Sequence, residues 1–281
     1  MSIIEAIILG IIQGLSEFIP ISSTAHLTIA GDLLGLIDPN DPHKWTAFIA
    51  VIQLGTMAAV LAYFRKELRS VPKSWLKENI GRSRLKYTNQ SDHSRLGWLI
   101  IIGSIPIVIV GLALKDIIEG SLTKDPLIIA VSLIVLAVIL FIADKTARFR
   151  KDIKDLNWKD SLIVGFGQCL ALIPGSSRSG TTITTGLFLG MNRETAARFS
   201  FLLSIPAVFG SGLLEFYQSI EYLTLDSLLT LIIATVVSGI SGYYAITFLI
   251  NYLKSRSTLL FVVYRIALGL LILILVHQGI M

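Results

Sequence analysis

The sequence predicts an all-α polytopic membrane protein with six transmembrane helices and two re-entrant helical hairpins in an inverted-topology repeat. Of its 281 residues, 53% are hydrophobic, and the mean hydropathy is +0.74. Only 15% are charged, whereas a soluble domain carries about 25%. The apolar residues also fall into segments long enough to cross a bilayer. We therefore treat residues 1–281 as a single integral membrane domain.

Six apolar segments predict the spans, because a transmembrane helix needs about 20 mostly apolar residues. They are 45–64, 96–115, 126–143, 195–217, 226–250 and 258–277. Two further apolar regions, 3–36 and 161–190, are interrupted midway by Pro20–Thr24 and by Pro174–Gly180. Each half of these regions has only about 12 to 16 residues, a length that favours a re-entrant hairpin over a span.

The distribution of basic residues predicts the orientation. Segment 65–95 holds nine Lys and Arg residues and segment 144–160 holds six, so both are predicted cytoplasmic loops. Segments 1–44, 116–125 and 218–225 then lie outside. With six spans, both basic segments fall on the cytoplasmic side only if each interrupted region returns to the side of the membrane from which it entered. Region 3–36 enters from outside and region 161–190 from the cytoplasm, which predicts hairpins of opposite orientation.

The two interrupted regions also resemble each other in sequence. Ile19-Pro20-Ile21-Ser22-Ser23 matches Ile173-Pro174-Gly175-Ser176-Ser177 at an offset of 154, and Gly31 and Gly35 match Gly186 and Gly190 at an offset of 155. Inverted repeats place their binding sites near the midplane, at the interface of the repeats. The broken tips are therefore expected to meet inside the membrane.

The tips carry charges that are costly in a bilayer. A charge at the membrane centre costs about 2.5–3.5 kcal/mol on insertion scales, so Glu17, His26 and Arg178 are candidate functional residues. One alternative is a purely structural ion pair between Glu17 and Arg178. Arg178 has the forked geometry that suits phosphate oxygens, and a helix N-terminus after each tip favours an anion. The predicted phosphate-binding residues are Gln13, Ser22, Thr24, Ser176, Ser177, Ser179 and Thr182.

The first tip is predicted to carry the reacting groups. Ser23, or its neighbour Ser22, could attack phosphorus. His26 lies three residues after Ser23, close to one helical turn, and could exchange a proton with it. Glu17 could orient His26 or act as the base itself. Ser23, His26 and water all remain open as the nucleophile at this stage, and the predicted catalytic residues are Glu17, Ser23, His26 and Arg178.

Other motifs point to no further chemistry. The four histidines are scattered, so no metal-ligand cluster is predicted, and neither a Walker-A sequence nor a dinucleotide-binding fingerprint is present. Segment 65–95 is expected to be a solvated loop that touches anionic lipids rather than nucleic acid. Arg265, inside the last span, could line the cavity, but a structural pair near the cytoplasmic side is the expectation.

The tip motifs resemble those of the bacterial undecaprenyl-diphosphate phosphatase family, known for bacitracin resistance. Gln13 to Glu17 with Pro20 to His26 is similar to the first family motif, and Pro174 to Thr182 is similar to the second. The resemblance implies six spans, two re-entrant hairpins, and removal of the terminal phosphate from undecaprenyl diphosphate. The monophosphate product is the lipid carrier that is recycled for peptidoglycan synthesis.

The resemblance also implies roles for individual residues, a cofactor and a cellular location. The matched positions are Glu17, Ser23, His26, Ser177 and Arg178, with Thr24 and Ser179 nearby. Gln13 stands where the family commonly has Glu, and Ala25 where Gly is frequent. A divalent cation, Mg²⁺ or Ca²⁺, is a family trait, and a homodimer is a candidate assembly. The implied location is the bacterial inner membrane, with the site open to the outer side. A transporter or flippase of the polyprenyl phosphate is the alternative function, because inverted repeats often serve alternating access.

Overall fold

The computed structural model describes residues 1–38, 42–80, 84–114, 125–219 and 228–278. These residues form eleven α-helices, and they contain no β-strand. The helices are α1 (Ile3–Phe18), α2 (Ser23–Leu33), α3 (Pro42–Tyr63), α4 (Arg65–Asn79), α5 (Asp92–Ala113), α6 (Pro126–Thr146), α7 (Trp158–Cys169), α8 (Arg178–Phe188), α9 (Arg193–Ser219), α10 (Leu228–Leu253) and α11 (Leu259–His277).

The six predicted spans are confirmed as helices. Those long and apolar enough to cross a membrane are Lys44–Tyr63, Asp92–Ala113, Pro126–Thr146, Arg193–Leu214, Leu228–Leu253 and Leu259–His277. Large apolar side chains such as Ile109 and Leu112 are 61% and 71% exposed, as expected for a surface that faces lipid. The chain is therefore a multi-pass membrane protein. The predicted outer segments 116–125 and 218–225 fall almost entirely outside the described residues.

The two interrupted regions each form a pair of short, packed helices, α1 with α2 and α7 with α8. Each pair begins with a capping box, formed by Ser2 with Glu5 and by Asn157 with Asp160. In such a box the two side chains satisfy backbone N–H groups that have no helical partner. Both helix pairs thus begin with the same N-terminal capping motif. Whether the pairs are re-entrant and related by an inverted repeat stays a prediction.

The structure corrects the register of the internal match at the tips. Ser22 and Ser177 are the N-caps of α2 and α8, and both have positive φ, 76° and 66°. They lie 155 positions apart, as do the capping boxes and the positive-φ glycines Gly35 and Gly190. The predicted offset of 154 at the tips was therefore wrong by one residue. Ser22 corresponds in conformation to Ser177, not to Ser176.

The helix pairs pack across the two halves of the chain. Helix α1 packs on α10, and helix α7 packs on α5. These contacts are close because a glycine faces a backbone carbonyl in each. A Cβ added to Gly10 would lie 2.6 Å from the carbonyl oxygen of Ala234, and one added to Gly165 would lie 2.3 Å from that of Gly103. Each half therefore completes the packing of the other.

The predicted cytoplasmic segments lie on one side of the bundle, where ion pairs connect them. Lys154 pairs with Asp92, Arg198 with Glu67, and Lys254 with Glu194. Segment 65–95 is not simply a solvated loop, because α4 occupies its first half and packs on α5. The shared location of these segments is the arrangement that the positive-inside rule requires.

Candidate active site

A cavity of about 200 Å³ lies between the two broken tips. The first tip contributes Ser22, Ser23 and Thr24, together with Gln13 and Glu17 at the end of α1, and the second contributes Gly175, Ser177 and Arg178. The first turns of α2 and α8 therefore both face it. Since the first N–H groups of a helix have no helical acceptor, the unpaired donors of two helix N-termini meet at one cavity, where they would favour an anion.

The local sequence explains how each tip turns back. At each tip a serine with positive φ accepts a hydrogen bond from the backbone N–H three residues later. These bonds join Ser22 Oγ to the N–H of Ala25 at 3.4 Å and Ser177 Oγ to that of Gly180 at 3.2 Å. Positive φ is uncommon for a residue other than glycine and is found at functional turns. The caps hold α2 and α8 at defined angles to the cavity.

The carboxylate of Glu17 connects the two tips. Its Oε1 accepts a hydrogen bond from Nη2 of Arg178, and its Oε2 accepts one from Ser23 Oγ at 3.0 Å. Nε2 of Gln13 lies 3.3 Å from the same Oε2. The Glu17 and Arg178 side chains are only 9% and 17% exposed. The expected convergence of the tips is thus present at the level of side chains.

Arg178 retains a free donor in this arrangement. Its Nη2 is held by Glu17, but its Nη1 is buried without a hydrogen-bond partner among the described residues. A guanidinium group binds a phosphate best through two parallel hydrogen bonds. Nη2 carries a second N–H, so a phosphate can share the guanidinium with Glu17, but the carboxylate and the phosphate then compete for the same positive charge.

The structure does not form the expected pair between His26 and Ser23. The Nδ1 atom of His26 lies 2.6 Å from the carbonyl oxygen of Ser22, and Nε2 lies 2.6 Å from the hydroxyl of Tyr264. Because a carbonyl only accepts, Nδ1 carries the proton, and Nε2 accepts from Tyr264. His26 does not line the cavity. Glu17 is the group in contact with Ser23.

Three predicted phosphate ligands lie behind the cavity lining. The Ser176 hydroxyl donates to the carbonyl of Leu170 at 2.7 Å, and the Thr182 hydroxyl donates to that of Arg178 at 2.7 Å. Ser179 Oγ lies 3.2 Å from Ser177 Oγ. None of these three is among the lining residues. Their hydrogen bonds stabilise the second tip, and their role as phosphate ligands stays a prediction.

Arg265 also departs from its expected role. Its side chain is fully buried, and Nη2 donates to the carbonyl of Ser176 at 2.9 Å. It thus supports the second tip and forms no ion pair with any residue that the structure describes. The expected structural pair near the cytoplasmic side is not formed.

Sequence reasoning missed Ser16, Thr28, Gln53 and Tyr264. The first three line the cavity, and Tyr264 holds His26. Gln53 had a detectable signal, since an amide in the middle of a predicted apolar span needs an explanation. The other three carry hydroxyls that are common on packed membrane helices, so their sequence context did not distinguish them.

The described residues do not make a metal site by themselves. They contain no group of three or more His, Cys, Asp or Glu side chains that could hold a metal ion. Glu17 is the single carboxylate in the cavity lining, and both of its oxygens already accept hydrogen bonds. Gln13 adds only an amide. One carboxylate and one amide do not fit a resident Mg²⁺ or Ca²⁺.

These observations define the class of protein as an integral membrane protein with a polar cavity between two helix N-termini. The model of the family described as "Bacitracin resistance protein BacA" matches residues 6–271. The chain belongs to this family.

Similar proteins agree along nearly the whole length. An undecaprenyl-diphosphatase of Syntrophobacter fumaroxidans is 54% identical over 269 residues, covering 96% of this chain and 95% of that protein. Undecaprenyl-diphosphatases of Chlorobium phaeobacteroides and Myxococcus xanthus are 50% and 48% identical, and each match covers 99% of this chain. The matches cover 99% and 91% of those two proteins. Both tips lie within the matched region.

Proposed function

We infer that the protein is an undecaprenyl-diphosphate phosphatase, which releases the terminal phosphate and leaves undecaprenyl phosphate. One observation carries this inference beyond the family relationship. The hydroxyl of Ser23 donates to the Glu17 carboxylate at 3.0 Å, in the cavity that Arg178 and the N-terminus of α8 also line. A serine with an adjacent base, facing an anion-binding helix end, suits attack on phosphorus.

We propose Ser23 as the nucleophile and Glu17 as its base. Glu17 takes the proton from Ser23 Oγ as the oxygen attacks the terminal phosphorus. The bond from that phosphorus to the bridging oxygen breaks, and undecaprenyl phosphate leaves with the bridging oxygen. Water then attacks the phosphoserine and the bond from phosphorus to Ser23 Oγ breaks. Protonated Glu17 returns its proton to Ser23 Oγ, and inorganic phosphate leaves with the oxygen and both hydrogens of the water.

Arg178 and the first turn of α8 would bind the transferring phosphoryl group. The free Nη1 of Arg178 supplies one charge-assisted hydrogen bond, and the backbone N–H groups of Arg178 and Ser179 have no helical acceptor. Such donors stabilise the negative charge that develops in the transition state. As the phosphate approaches, Nη2 can exchange its bond to Glu17 for one to a phosphate oxygen. This exchange also frees Glu17 to accept a proton.

The proposed location is the bacterial inner membrane, with the cavity open to the outer side. The ion pairs that connect the basic segments support the orientation, because those segments lie together on one side of the bundle. We further propose that the regions 3–36 and 161–190 are re-entrant hairpins. Short paired helices whose tips meet at a polar cavity are tolerated at membrane depth, because their irregular backbone is buried in protein.

Transport of the polyprenyl phosphate is not favoured. No described contact supports it over phosphatase chemistry, and the similar proteins are named for a phosphatase activity.

The test is a comparison of Ser23→Ala with a matched control, Ser204→Ala. Ser204 is a buried serine whose hydroxyl bonds the carbonyl of Phe201, outside the cavity. Purified proteins are assayed for phosphate release from undecaprenyl diphosphate, and the wild type is acid-quenched to detect phosphoserine. Ser23→Ala should lose activity by about 10² to 10⁴-fold or more, whereas the control should retain it. Full activity in Ser23→Ala would overturn the assignment of the nucleophile.

A further inference from the structure

Arg265 is the most deeply buried cation that the mechanism above does not use. Its side chain is 0% exposed, and its Nε and Nη1 have no hydrogen-bond partner among the described residues. It forms no ion pair with them either. An ionisable side chain inside the membrane is costly, and it indicates function unless a partner explains it. The one bond of Arg265, to the Ser176 carbonyl, leaves most of its donors free.

The position of Arg265 associates it with the anion-binding helix end. A Cβ added to Gly180 would lie 2.6 Å from Nη1 of Arg265, and 3.3 Å from Oγ of Ser177. Gly180 is in the first turn of α8, and Ser177, the N-cap, lines the cavity. The guanidinium therefore packs against the reverse side of the turn that faces the cavity. The absence of a side chain at Gly180 is what allows this approach.

The charges of the site then require a partner. Glu17 neutralises Arg178 within the cavity, so the pair contributes no net charge. Arg265 remains as an uncompensated positive charge one turn away. A diphosphate ester brings negative charge to the same place. Binding would therefore give both the substrate and Arg265 an opposite charge, which offsets the free-energy cost of burying each charge unpaired.

We propose that Arg265 is the counter-charge for the phosphate groups of the substrate, acting through the first turn of α8 as a positioning and affinity-determining residue. This inference rests on the proposed function. Two unit charges about 8 Å apart, at an effective dielectric constant of about 20, change an affinity by roughly thirty-fold. Removing the charge should therefore weaken anion binding by roughly ten- to thirty-fold. The effect should appear in KM more than in kcat, because Arg265 does not touch the reacting atoms.

The experiment compares Arg265→Gln with Arg265→Lys. Both variants can donate a hydrogen bond to the Ser176 carbonyl, but only lysine keeps the charge. The probe is inorganic phosphate, whose Kd is measured by calorimetry and by the rise in Tm that it causes. KM and kcat for undecaprenyl diphosphate are measured in parallel. Arg256→Gln is the matched control, because it removes an exposed positive charge beyond the end of α10.

The expected result is a loss of phosphate affinity in the Gln variant, with the Lys variant and the control within about threefold of the wild type. Wild-type phosphate affinity in both Arg265 variants would show that the residue only stabilises the fold, and would overturn the proposal. Equal losses of affinity in both variants would show that the charge is not what matters, and would also overturn it. If Arg265→Gln does not fold, Arg265→Met tests the same loss. If neither folds, the charge serves the fold rather than the anion, and the proposal fails.

The binding measurements also separate this inference from the proposed function. Phosphate affinity is measured without turnover, so it does not depend on hydrolysis. An active wild type with unchanged affinity in Arg265→Gln would refute only the role of Arg265. A wild type that binds phosphate in an Arg265-dependent way but hydrolyses no diphosphate would refute only the phosphatase assignment.

Discussion

Replacing Glu17 by glutamine should strengthen phosphate binding while it slows catalysis. In the resting site, Glu17 accepts a hydrogen bond from Nη2 of Arg178, and Nη1 has no partner among the described residues. A neutral amide competes weakly for the guanidinium, so Glu17→Gln would leave both Nη atoms and the full positive charge of Arg178 to the phosphate. The same change removes the proposed base for Ser23. Affinity and rate should therefore move in opposite directions.

The magnitudes follow from the contacts that are gained and lost. One additional hydrogen bond to a charged group contributes about 1.5–3 kcal/mol, which corresponds to roughly 10- to 150-fold tighter binding of inorganic phosphate. Both side chains of the ion pair are mostly buried, with exposures of 9% and 17%, so screening by solvent reduces this little. Loss of a general base costs about 10² to 10⁴-fold in kcat.

The assay combines phosphate calorimetry with single-turnover hydrolysis of undecaprenyl diphosphate. Glu67→Gln is the matched control, since Glu67 pairs with Arg198 at 2.7 Å and neither residue lines the cavity. It should change neither quantity. A folded Glu17→Gln protein whose phosphate affinity is unchanged or weaker would refute the competition between Glu17 and phosphate. A near-normal kcat would refute the role of Glu17 as base.

Three further predictions test other contacts. Tyr264→Phe removes the hydroxyl bound to His26; losing one hydrogen bond of about 1 kcal/mol should lower Tm by about 2–4 °C, and an unchanged Tm would contradict the contact. Gln13→Glu adds a carboxylate beside the one in the buried ion pair, so its activity should become dependent on added Mg²⁺ or Ca²⁺; a cation response equal to that of the wild type would count against this. In Gly55→Ala, the new Cβ would lie 2.1 Å from a backbone carbonyl of α10, so overpacking should cost about 1–3 kcal/mol of stability. Gly111→Ala, with nothing within 4 Å of the added Cβ, should not destabilise the protein. The Tm values of both variants test this, and equal Tm values would contradict the packing argument.

The spans and the polar tips were predictable because their physical signals are local. A run of about 20 apolar residues has few alternatives to a membrane helix, and all six such runs are helical. The tips were recognisable because proline, serine and a buried charge interrupt an apolar run. The contact between Glu17 and Arg178, 161 residues apart, also followed from the predicted convergence of the tips.

The orientation of individual side chains was not predictable. Spacing alone placed His26 on the same face as Ser23, but the ring instead bonds Tyr264, 238 residues away. The register of the tips was likewise ambiguous in sequence, because Ser176 and Ser177 are adjacent and chemically identical. Backbone φ distinguishes them, since Ser177 is the N-cap. Arg265 was misassigned because its neighbour, the Ser176 carbonyl, belongs to a segment 89 residues away in the chain.

The exchange of helix contacts between the two halves has a consequence for how the protein is made. Helix α1 leaves the ribosome well before its partner α10, which is synthesised after more than two hundred further residues. Helix α11, which contacts His26 and Ser176 through Tyr264 and Arg265, follows α10. The nascent chain must therefore hold an incomplete cavity in the membrane until α11 has been synthesised. A chain that stops before α11 would contain Glu17, Ser23 and Arg178 and still lack the helix that fixes both tips.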